Sequence, residues 1–168
     1  MLLLDFSQIL IANLAVQVGL HTMSEVEPDL LKHMALNTLR SIRTKFPEKD
    51  YGEIIVACDN RSWRKNVYPY YKAARATAKA KSPLDWNAIF AVFNEIRDDI
   101  KEFFPYRVVS AEGAEADDVI GTLVMEFSTE GLAIGENILI MSGDKDFAQL
   151  HRYGNVKQYD PVKKKYIE

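Results

Sequence analysis

Acidic side chains follow short apolar runs at several places in this 168-residue sequence. Asp5 ends the run LLLD, and Asp59 follows the run IIVAC. A third acidic group, EADD, opens a helical pattern, and a fourth, DKD, follows the run ILIM. The candidate metal ligands in these four groups are Asp5, Asp59, Glu115, Asp117, Asp118, Asp144 and Asp146.

Carboxylates brought together in a crevice repel one another, and their pKa values rise until protons or cations neutralise them. No His or Cys clusters with them, so the oxygen ligands favour Mg²⁺ or Mn²⁺ over zinc. Asp144 and Asp146 are two residues apart, which in an extended segment directs both side chains to one side. We expect two Mg²⁺ ions, for which Mn²⁺ could substitute, in an arrangement suited to displacement at a phosphodiester.

Each acidic group also has an interpretation that needs no metal. Glu115 and Asp117 lie at a predicted helix start, where the helix dipole favours acids in any protein. Asp144 could simply cap the helix that follows it. The metal site is favoured because four separate acidic groups occupy equivalent positions in the predicted fold, each after a strand.

Residues 61–81 form a basic segment without a single acid. Its basic residues are Arg61, Arg64, Lys65, Lys72, Arg75, Lys79 and Lys81. Interleaved aromatic residues, Trp63, Tyr68, Tyr70 and Tyr71, could stack on bases while the cations neutralise phosphates, as in proteins that bind single-stranded nucleic acid. The alternative is a solvated basic helix or loop. Because the segment begins just after Asp59, we expect it to overhang the acids.

The surrounding pattern predicts the elements that position these residues. Strands are predicted at 1–4, 54–58, 107–110 and 137–141, and a helix follows the first strand. Further helices are predicted at 28–46, 84–104 and 116–127, with a short one after Asp146. The second of these opens with SPLD, an arrangement like a capping box with proline at the first helical position, and Trp86, Ile89, Phe90, Phe93, Ile96 and Ile100 are its expected buried face. Apolar strands separated by helices indicate an α/β fold, with a mainly parallel sheet covered on both faces and the acids at its carboxyl edge.

The amino-acid composition limits the classes of protein that are compatible with these interpretations. The chain is 48% hydrophobic and 27% charged, which is typical of a globular protein, and we expect a single domain over 1–168. Cys58 is the single cysteine, which favours a buried thiol in a cytoplasmic location. We expect no signal peptide and no membrane partner, since the start of the chain is interrupted by polar residues. The net charge of −3 conceals the seven cations of 61–81, so the remainder carries −10.

Four motifs in order, LLLDFSQ, ACDN with WRKNVYPYYKAAR, EGAEADDVIG and SGDKDFAQL, resemble the 5'-nuclease (flap endonuclease) family over essentially the whole chain. The resemblance implies a PIN-like α/β nuclease fold with a basic arch region. It places Asp5, Asp59, Glu115 and Asp117 around a first metal with Asp118 nearby, and associates Asp144 and Asp146 with a second.

The resemblance also implies roles in the basic segment. Lys72, Arg75 and Arg64 are the expected catalytic cations, with Lys72 and Arg75 adding positive charge at the scissile phosphate. The expected nucleic-acid contacts are Arg61, Trp63, Lys65, Tyr71, Lys79 and Lys81. Family members continue past a strand at 156–159 into a helix-hairpin-helix region that grips duplex DNA and adds a metal ligand. The expectation is therefore a catalytic domain without that region, either a natural minimal form or a fragment.

The expected activity is Mg²⁺-dependent 5'-3' exonuclease or flap endonuclease cleavage of DNA or an RNA–DNA hybrid during replication. A monomer is expected, with a single-strand binding protein as a candidate partner and the phage or bacterial host cytosol as the location. Two alternatives stay open: a PIN-type endoribonuclease, and a noncatalytic nucleic-acid-binding module. A phosphatase of the haloacid dehalogenase type is disfavoured because Ser7 occupies the position where that chemistry needs a second Asp.

Overall fold

A six-stranded sheet forms the centre of the computed structural model, which describes residues 1–20, 27–128 and 137–168. The strands run in the order β3-β2-β1-β4-β5-β6, and all neighbours are parallel except the antiparallel pair β5 and β6. Their bounds are β1 Leu2–Asp5, β2 Ile54–Ala57, β3 Arg107–Val109, β4 Ile138–Met141, β5 Val156–Asp160 and β6 Lys165–Ile167.

Helices connect and cover these strands. They are α1 Phe6–Leu20, α2 Pro28–Lys45, α3 Glu48–Tyr51, α4 Arg64–Val67, α5 Ala73–Ala80, α6 Trp86–Phe103 and α7 Ala116–Ser128, with a 3₁₀ helix at Lys145–Arg152. No helix in the described ranges has the length and apolar character needed to cross a bilayer.

Two hydrophobic layers hold the helices to the sheet. On one face, Leu2 and Leu4 pack with α1, α2 and α6. On the other, Leu3 packs with α7 and the 3₁₀ helix. Successive strand residues point to opposite faces, so a strand covered on both sides must be apolar, as β2 and β4 are throughout and β1 is up to its last residue, Asp5.

The order of the strands creates a crevice next to β1. The chain builds β2 and β3 on one side of β1, then returns to place β4 on its other side. Such a reversal separates the loops that leave the carboxyl ends of the two neighbouring strands, and ligands bind in the gap between them. Asp5 ends β1 at this gap.

The strand predictions at 1–4, 54–58, 107–110 and 137–141 are confirmed to within one residue at each end, and the strand implied at 156–159 is β5. The start of α6 was placed wrongly. Asp85 is the N-cap and accepts hydrogen bonds from the backbone N–H groups of Asn87 and Ala88, whereas Ser82 accepts one from Leu84 before the helix begins. β6, a short and largely exposed strand, was not anticipated.

Replacing the N-cap with Asp85→Ala is expected to lower the free energy of unfolding by about 1 kcal/mol, because two backbone donors of α6 lose their acceptor. Ser82→Ala is the matched control and should cost clearly less. Urea unfolding followed by circular dichroism measures both, and equal losses would contradict this assignment of the cap.

Candidate active site

A polar cleft of about 250 Å³ lies at the carboxyl edge of the sheet. Five of the seven predicted carboxylates line it: Asp5, Asp59, Asp117, Asp144 and Asp146. Tyr71, Lys72 and Arg75 of the basic segment line the same cleft. The topology therefore brings together acids from four separate parts of the chain and covers them with cations.

Asp5 is the most deeply placed of these acids, with only 6% of its surface exposed. One carboxylate oxygen accepts a hydrogen bond from the backbone N–H of Gln8 at 3.1 Å, and the other accepts one from Ser142 Oγ at 3.0 Å. Burial raises the pKa of Asp5 to about 6, and the charges of Asp117 and Asp59 add to the rise against the opposing hydrogen bonds. A charge held in this setting is stabilised by a nearby cation.

Asp117 has the same electrostatic character. Burial raises its pKa, and the nearby charges of Asp144, Asp59 and Glu115 raise it further. Asp144 and Asp117 come from different elements, one after β4 and the other in the first turn of α7. Their repulsion indicates that the cleft holds more negative charge than its own cations neutralise.

A network of side chains fixes the loop between β4 and the 3₁₀ helix. Gln158 of β5 is fully buried, and its amide nitrogen donates to the carbonyls of Ser142 at 2.8 Å and Asp144 at 2.7 Å. Ser142 Oγ accepts from the backbone N–H of Asp144, while Gln8 accepts from that of Gly143 at 2.7 Å. Gln8, Ser142 and Gln158 were not predicted as site residues. The sequence signal for Gln158 was an amide side chain within the otherwise strand-like run VKQYD.

Gly143 lies where no side chain fits. A Cβ at this position would stand 2.7 Å from Asp160 Oδ2 and 3.0 Å from the amide nitrogen of Gln8. Asp160 is a further buried acid at this edge that was not among the predicted ligands, and it accepts hydrogen bonds from the backbone N–H groups of Val162 and Lys163. The loop thus packs directly against the end of β5.

Asp144 also makes the capping contact that its metal-free interpretation predicted. Its side chain accepts a hydrogen bond from the backbone N–H of Asp146 at 2.9 Å, at the start of the 3₁₀ helix. The cap fixes the carboxylate at the helix start while leaving it in the lining of the cleft. Capping and a metal-binding role are therefore compatible.

Glu115 and Asp118 differ from the other predicted acids because cations of the basic segment hold them. Arg64 makes a bidentate pair with Asp118, at 2.8 and 2.6 Å, and this bond lowers the pKa of Asp118. Glu115 accepts from Lys72 Nζ at 2.7 Å and from the Tyr71 hydroxyl at 2.8 Å. Burial acts to raise the pKa of Glu115, yet these partners hold it below its usual range. Arg64 thus pairs with Asp118 instead of lining the cleft.

These pairs fasten the basic segment to the start of α7. Lys72 adopts a left-handed backbone conformation, with φ of +54°, immediately before α5. A residue with a side chain rarely adopts this conformation, and it persists where surrounding contacts enforce it. The bond from Lys72 to Glu115 is one such contact.

Several other residues of the basic segment lie outside the lining of the cleft. Trp63, Arg61, Lys65 and Lys81 are exposed and do not line the cleft, whereas Arg75 does. Lys79 lies over two aromatic rings, with its ammonium 4.9 Å from the centre of Trp86 and 4.2 Å from that of Phe90. Their predicted contacts with nucleic acid stay predictions.

The donor set of the cleft fits a hard divalent cation. Its candidate ligands are carboxylate oxygens, two of them with raised pKa values. Across the described residues, no three Asp, Glu, His or Cys side chains are arranged as a ready-made set around one ion. Mg²⁺ tolerates this arrangement, since it keeps several waters and binds through one or two carboxylates plus substrate phosphates.

The fold and the acid-lined cleft together define a nuclease-like domain with a basic cover. Residues 5–168 match the model of the family described as 5'-3' exonuclease, N-terminal resolvase-like domain, and the chain belongs to this family. The resemblance to 5'-nucleases seen in the motifs is confirmed.

Individual relatives agree with this assignment. Ribonuclease H of Enterobacteria phage T4 is 36% identical over 169 residues, which cover 99% of this chain and 53% of that protein. Flap endonuclease Xni of Shewanella piezotolerans is 32% identical over 124 residues, covering 73% of this chain and 43% of the relative. The chain spans about half the length of these relatives.

The fold is shared with a bacteriophage T5 flap endonuclease, whose structure contains DNA and metal ions. The TM-score is 0.68 at 17% identity, over 99% of this chain and 57% of that one. The PIN-like α/β architecture with a mainly parallel sheet is thus confirmed.

Replacing the buried acid with Asp5→Asn is expected to stabilise the metal-free protein at pH 8. The pKa of Asp5 is about 6 in the folded chain against 3.8 unfolded, so its ionisation costs stability as pH rises between these values, by up to about 3 kcal/mol. The variant should exceed wild type at pH 8 and match it near pH 4 in urea unfolding with a chelator present. A difference independent of pH would contradict the assigned burial of this charge.

Removing the amide with Gln158→Leu is expected to lower the free energy of unfolding by about 1–3 kcal/mol, because the carbonyls of Ser142 and Asp144 lose their shared donor. Gln149→Leu, at an exposed position of the 3₁₀ helix, is the matched control. Urea unfolding compares the two variants, and equal stability would refute a positioning role for Gln158.

Proposed function

We propose that this chain is the catalytic part of a 5'-nuclease that hydrolyses phosphodiester bonds in DNA at 5' ends and flaps, using two Mg²⁺ ions. The observation that carries the proposal is the cleft itself, in which five carboxylates from four parts of the chain face Lys72 and Arg75. Carboxylates alone would bind metal ions, and basic side chains alone would bind phosphate. Their combination in one cleft suits a metal-assisted reaction at a phosphate.

In this proposal Asp5, Asp59 and Asp117 would supply one or two carboxylates to one ion, with waters and substrate phosphates as its other ligands. Asp144 and Asp146 would contribute to the second ion, with Mn²⁺ able to replace Mg²⁺. Bound ions of this kind lower the pKa of a water and offset charge on the scissile phosphate and the leaving oxygen. Glu115 and Asp118 were expected to join these ligands; their roles stay predictions, since Lys72, Tyr71 and Arg64 hold them.

Two cations of the chain would act on the substrate directly. Burial is the largest single influence on Lys72 and lowers its pKa, but the hydrogen bonds and charges of Glu115 and Tyr71 together outweigh it and raise the pKa, so the ammonium is protonated at neutral pH. Arg75 lines the same cleft and is exposed. Both can contact phosphate oxygens and stabilise negative charge that develops during hydrolysis. Arg64 would act through its pair with Asp118, by positioning the segment that carries Lys72.

Charge also supports a nucleic-acid substrate. The formal net charge is −3, and two bound Mg²⁺ would change it to +1, with the cations of 61–81 concentrated beside the cleft. Exposed Trp63, Tyr68 and Tyr70 can stack on bases of a single strand. The basic segment would therefore guide a single-stranded 5' end toward the acids.

The named relatives set the substrate range that we propose. One is a ribonuclease H and another a flap endonuclease, so we extend the substrates to RNA–DNA hybrids and the biological role to removal of RNA primers and flaps. Action as a monomer in the cytosol of a phage-infected or bacterial cell, alongside a single-strand binding protein, is part of the same proposal.

A cleavage panel tests this function with the 168-residue chain. Substrates are a 5'-flap DNA, an RNA–DNA hybrid and a single-stranded RNA, each with Mg²⁺ or with EDTA. Mg²⁺-dependent cleavage of the flap or hybrid, leaving 5'-phosphates, is the expected result. Cleavage of the RNA alone would favour a PIN-type endoribonuclease, and metal-independent binding without cleavage would favour a noncatalytic module.

Asp144→Ala is expected to reduce Mg²⁺-dependent cleavage at least 100-fold, since it removes a proposed ligand on which the charge balance of the reaction depends. Glu102→Ala, which removes an exposed acid at the distant end of α6, is the control and should cleave like wild type. Circular dichroism confirms that both variants fold. Unchanged turnover in folded Asp144→Ala would remove Asp144 from the metal site.

A further inference from the structure

A second cavity, of about 260 Å³, opens beside the acid-lined cleft between α1, α5 and α6. We call it the side pocket. It shares part of its lining with the cleft, namely Ser7, Ile11, Asp59 and Arg75. The side pocket is therefore immediately adjacent to the cleft, and a strand bound at the cleft passes close to it.

The floor of the side pocket is apolar and includes aromatic rings. Phe6, Leu10 and Phe93 are buried there, while the ring of Phe90 is 40% exposed. The sequence pattern predicted that Phe90 would be buried with the rest of its helix face, and this was wrong. Its ring contacts Phe93 edge to face, at 6.1 Å between centres, and keeps part of its surface open to the solvent.

The rim of the side pocket is basic. Arg75, Lys79 and Arg97 line it together with Asn94, whose side-chain oxygen accepts a hydrogen bond from Arg97 at 2.9 Å. Arg97 also pairs with Asp98. Within the described part of the chain, Arg75 and Lys79 form no ion pair with a carboxylate, which leaves two cations free to meet an anion.

The positive charge of Lys79 at this rim is destabilised by its surroundings. Burial and the nearby charges of Arg75 and Lys65 lower the pKa of Lys79. The ammonium lies 4.2 Å from the centre of the Phe90 ring, a cation–π contact that offsets part of this destabilisation. An anion between Arg75 and Lys79 would offset more of it.

We infer that the side pocket binds one nucleotide of the substrate strand, with its base against Phe90 and its phosphate between Arg75 and Lys79. The apolar floor and the part of the Phe90 ring that Lys79 and Phe93 leave exposed suit the flat face of a base, and the cations without an ion pair suit its phosphate. The volume limits the occupant to a single nucleotide. This inference rests on the proposed function for the identity of the strand. It makes Phe90 a contact for the base next to the reacting phosphate.

The test uses 5'-flap DNA substrates in which one abasic nucleotide is moved stepwise across the flap junction. Wild type should lose about tenfold in binding and in Mg²⁺-dependent cleavage at one position of the abasic nucleotide, because one stacked base is missing. Phe90→Ala should lose about the same on the intact substrate and show no further loss at that position. Phe90→Trp, which keeps an aromatic face, should retain the dependence on the base.

Phe103→Ala provides the matched control. Phe103 lies on the same helix, is 70% exposed and does not line the side pocket, so its removal should leave the abasic profile as in wild type. Because Phe90 is partly exposed, its truncation is compatible with folding, which circular dichroism verifies. A wild-type profile that is flat at every position, or a Phe90→Ala profile identical to wild type, would overturn the side pocket as a base site.

Binding by fluorescence anisotropy in EDTA separates this inference from the proposed function. If wild type binds but cleaves none of the substrates, the nuclease proposal fails. The dependence of binding on the base then still shows whether the side pocket binds a base. If wild type cleaves and every abasic substrate behaves alike, the side pocket fails and the nuclease proposal stands.

Discussion

Parallel alignment of β1 between β2 and β4 is the constraint on which the rest of the site depends. Leu2 lies opposite Ile54 on one side and Leu139 on the other, so these three strands end together. Parallel pairing makes chain segments that are far apart in sequence deliver their following residues to one edge. Asp5, Asp59 and Asp144 are neighbours for this reason. The apolar cores on both faces of the sheet therefore support an intensely polar edge.

The acids at this edge divide into two groups according to how their charge is balanced. Arg64, Lys72 and Tyr71 satisfy Asp118 and Glu115, whose pKa values are lowered. Asp5 and Asp117 lack such partners and have raised pKa values. The first group attaches the basic segment to α7, and the second leaves negative charge in the cleft that the chain's own cations do not pair. One cluster of like charges thus serves both to build the site and to prepare it for a ligand.

Much of this could be predicted from the sequence because its strongest signals are local. Short apolar runs predicted β1, β2, β3 and β4, and their order with the intervening helices predicted a parallel sheet with acids at one edge. The pairing of Arg64 with Asp118 could not be predicted, since it joins residues 54 positions apart whose individual patterns fit other roles. Gln158 was missed because its importance comes from two carbonyls supplied by another strand's loop. Phe90 was misassigned because helical periodicity identifies a face and does not show where a neighbouring element stops covering it.

The two outermost strands have a consequence for behaviour in concentrated solution. β3 and β6 are three residues each, and they carry Arg107 and Lys165 at the margins of the sheet. Long, flat, apolar edges invite strands of other molecules to pair with them, whereas short edges bearing cations discourage it. The very apolar central strands are therefore shielded from intermolecular β-pairing. The same sheet that concentrates charge at its carboxyl end also protects the folded molecule against aggregation along its sides.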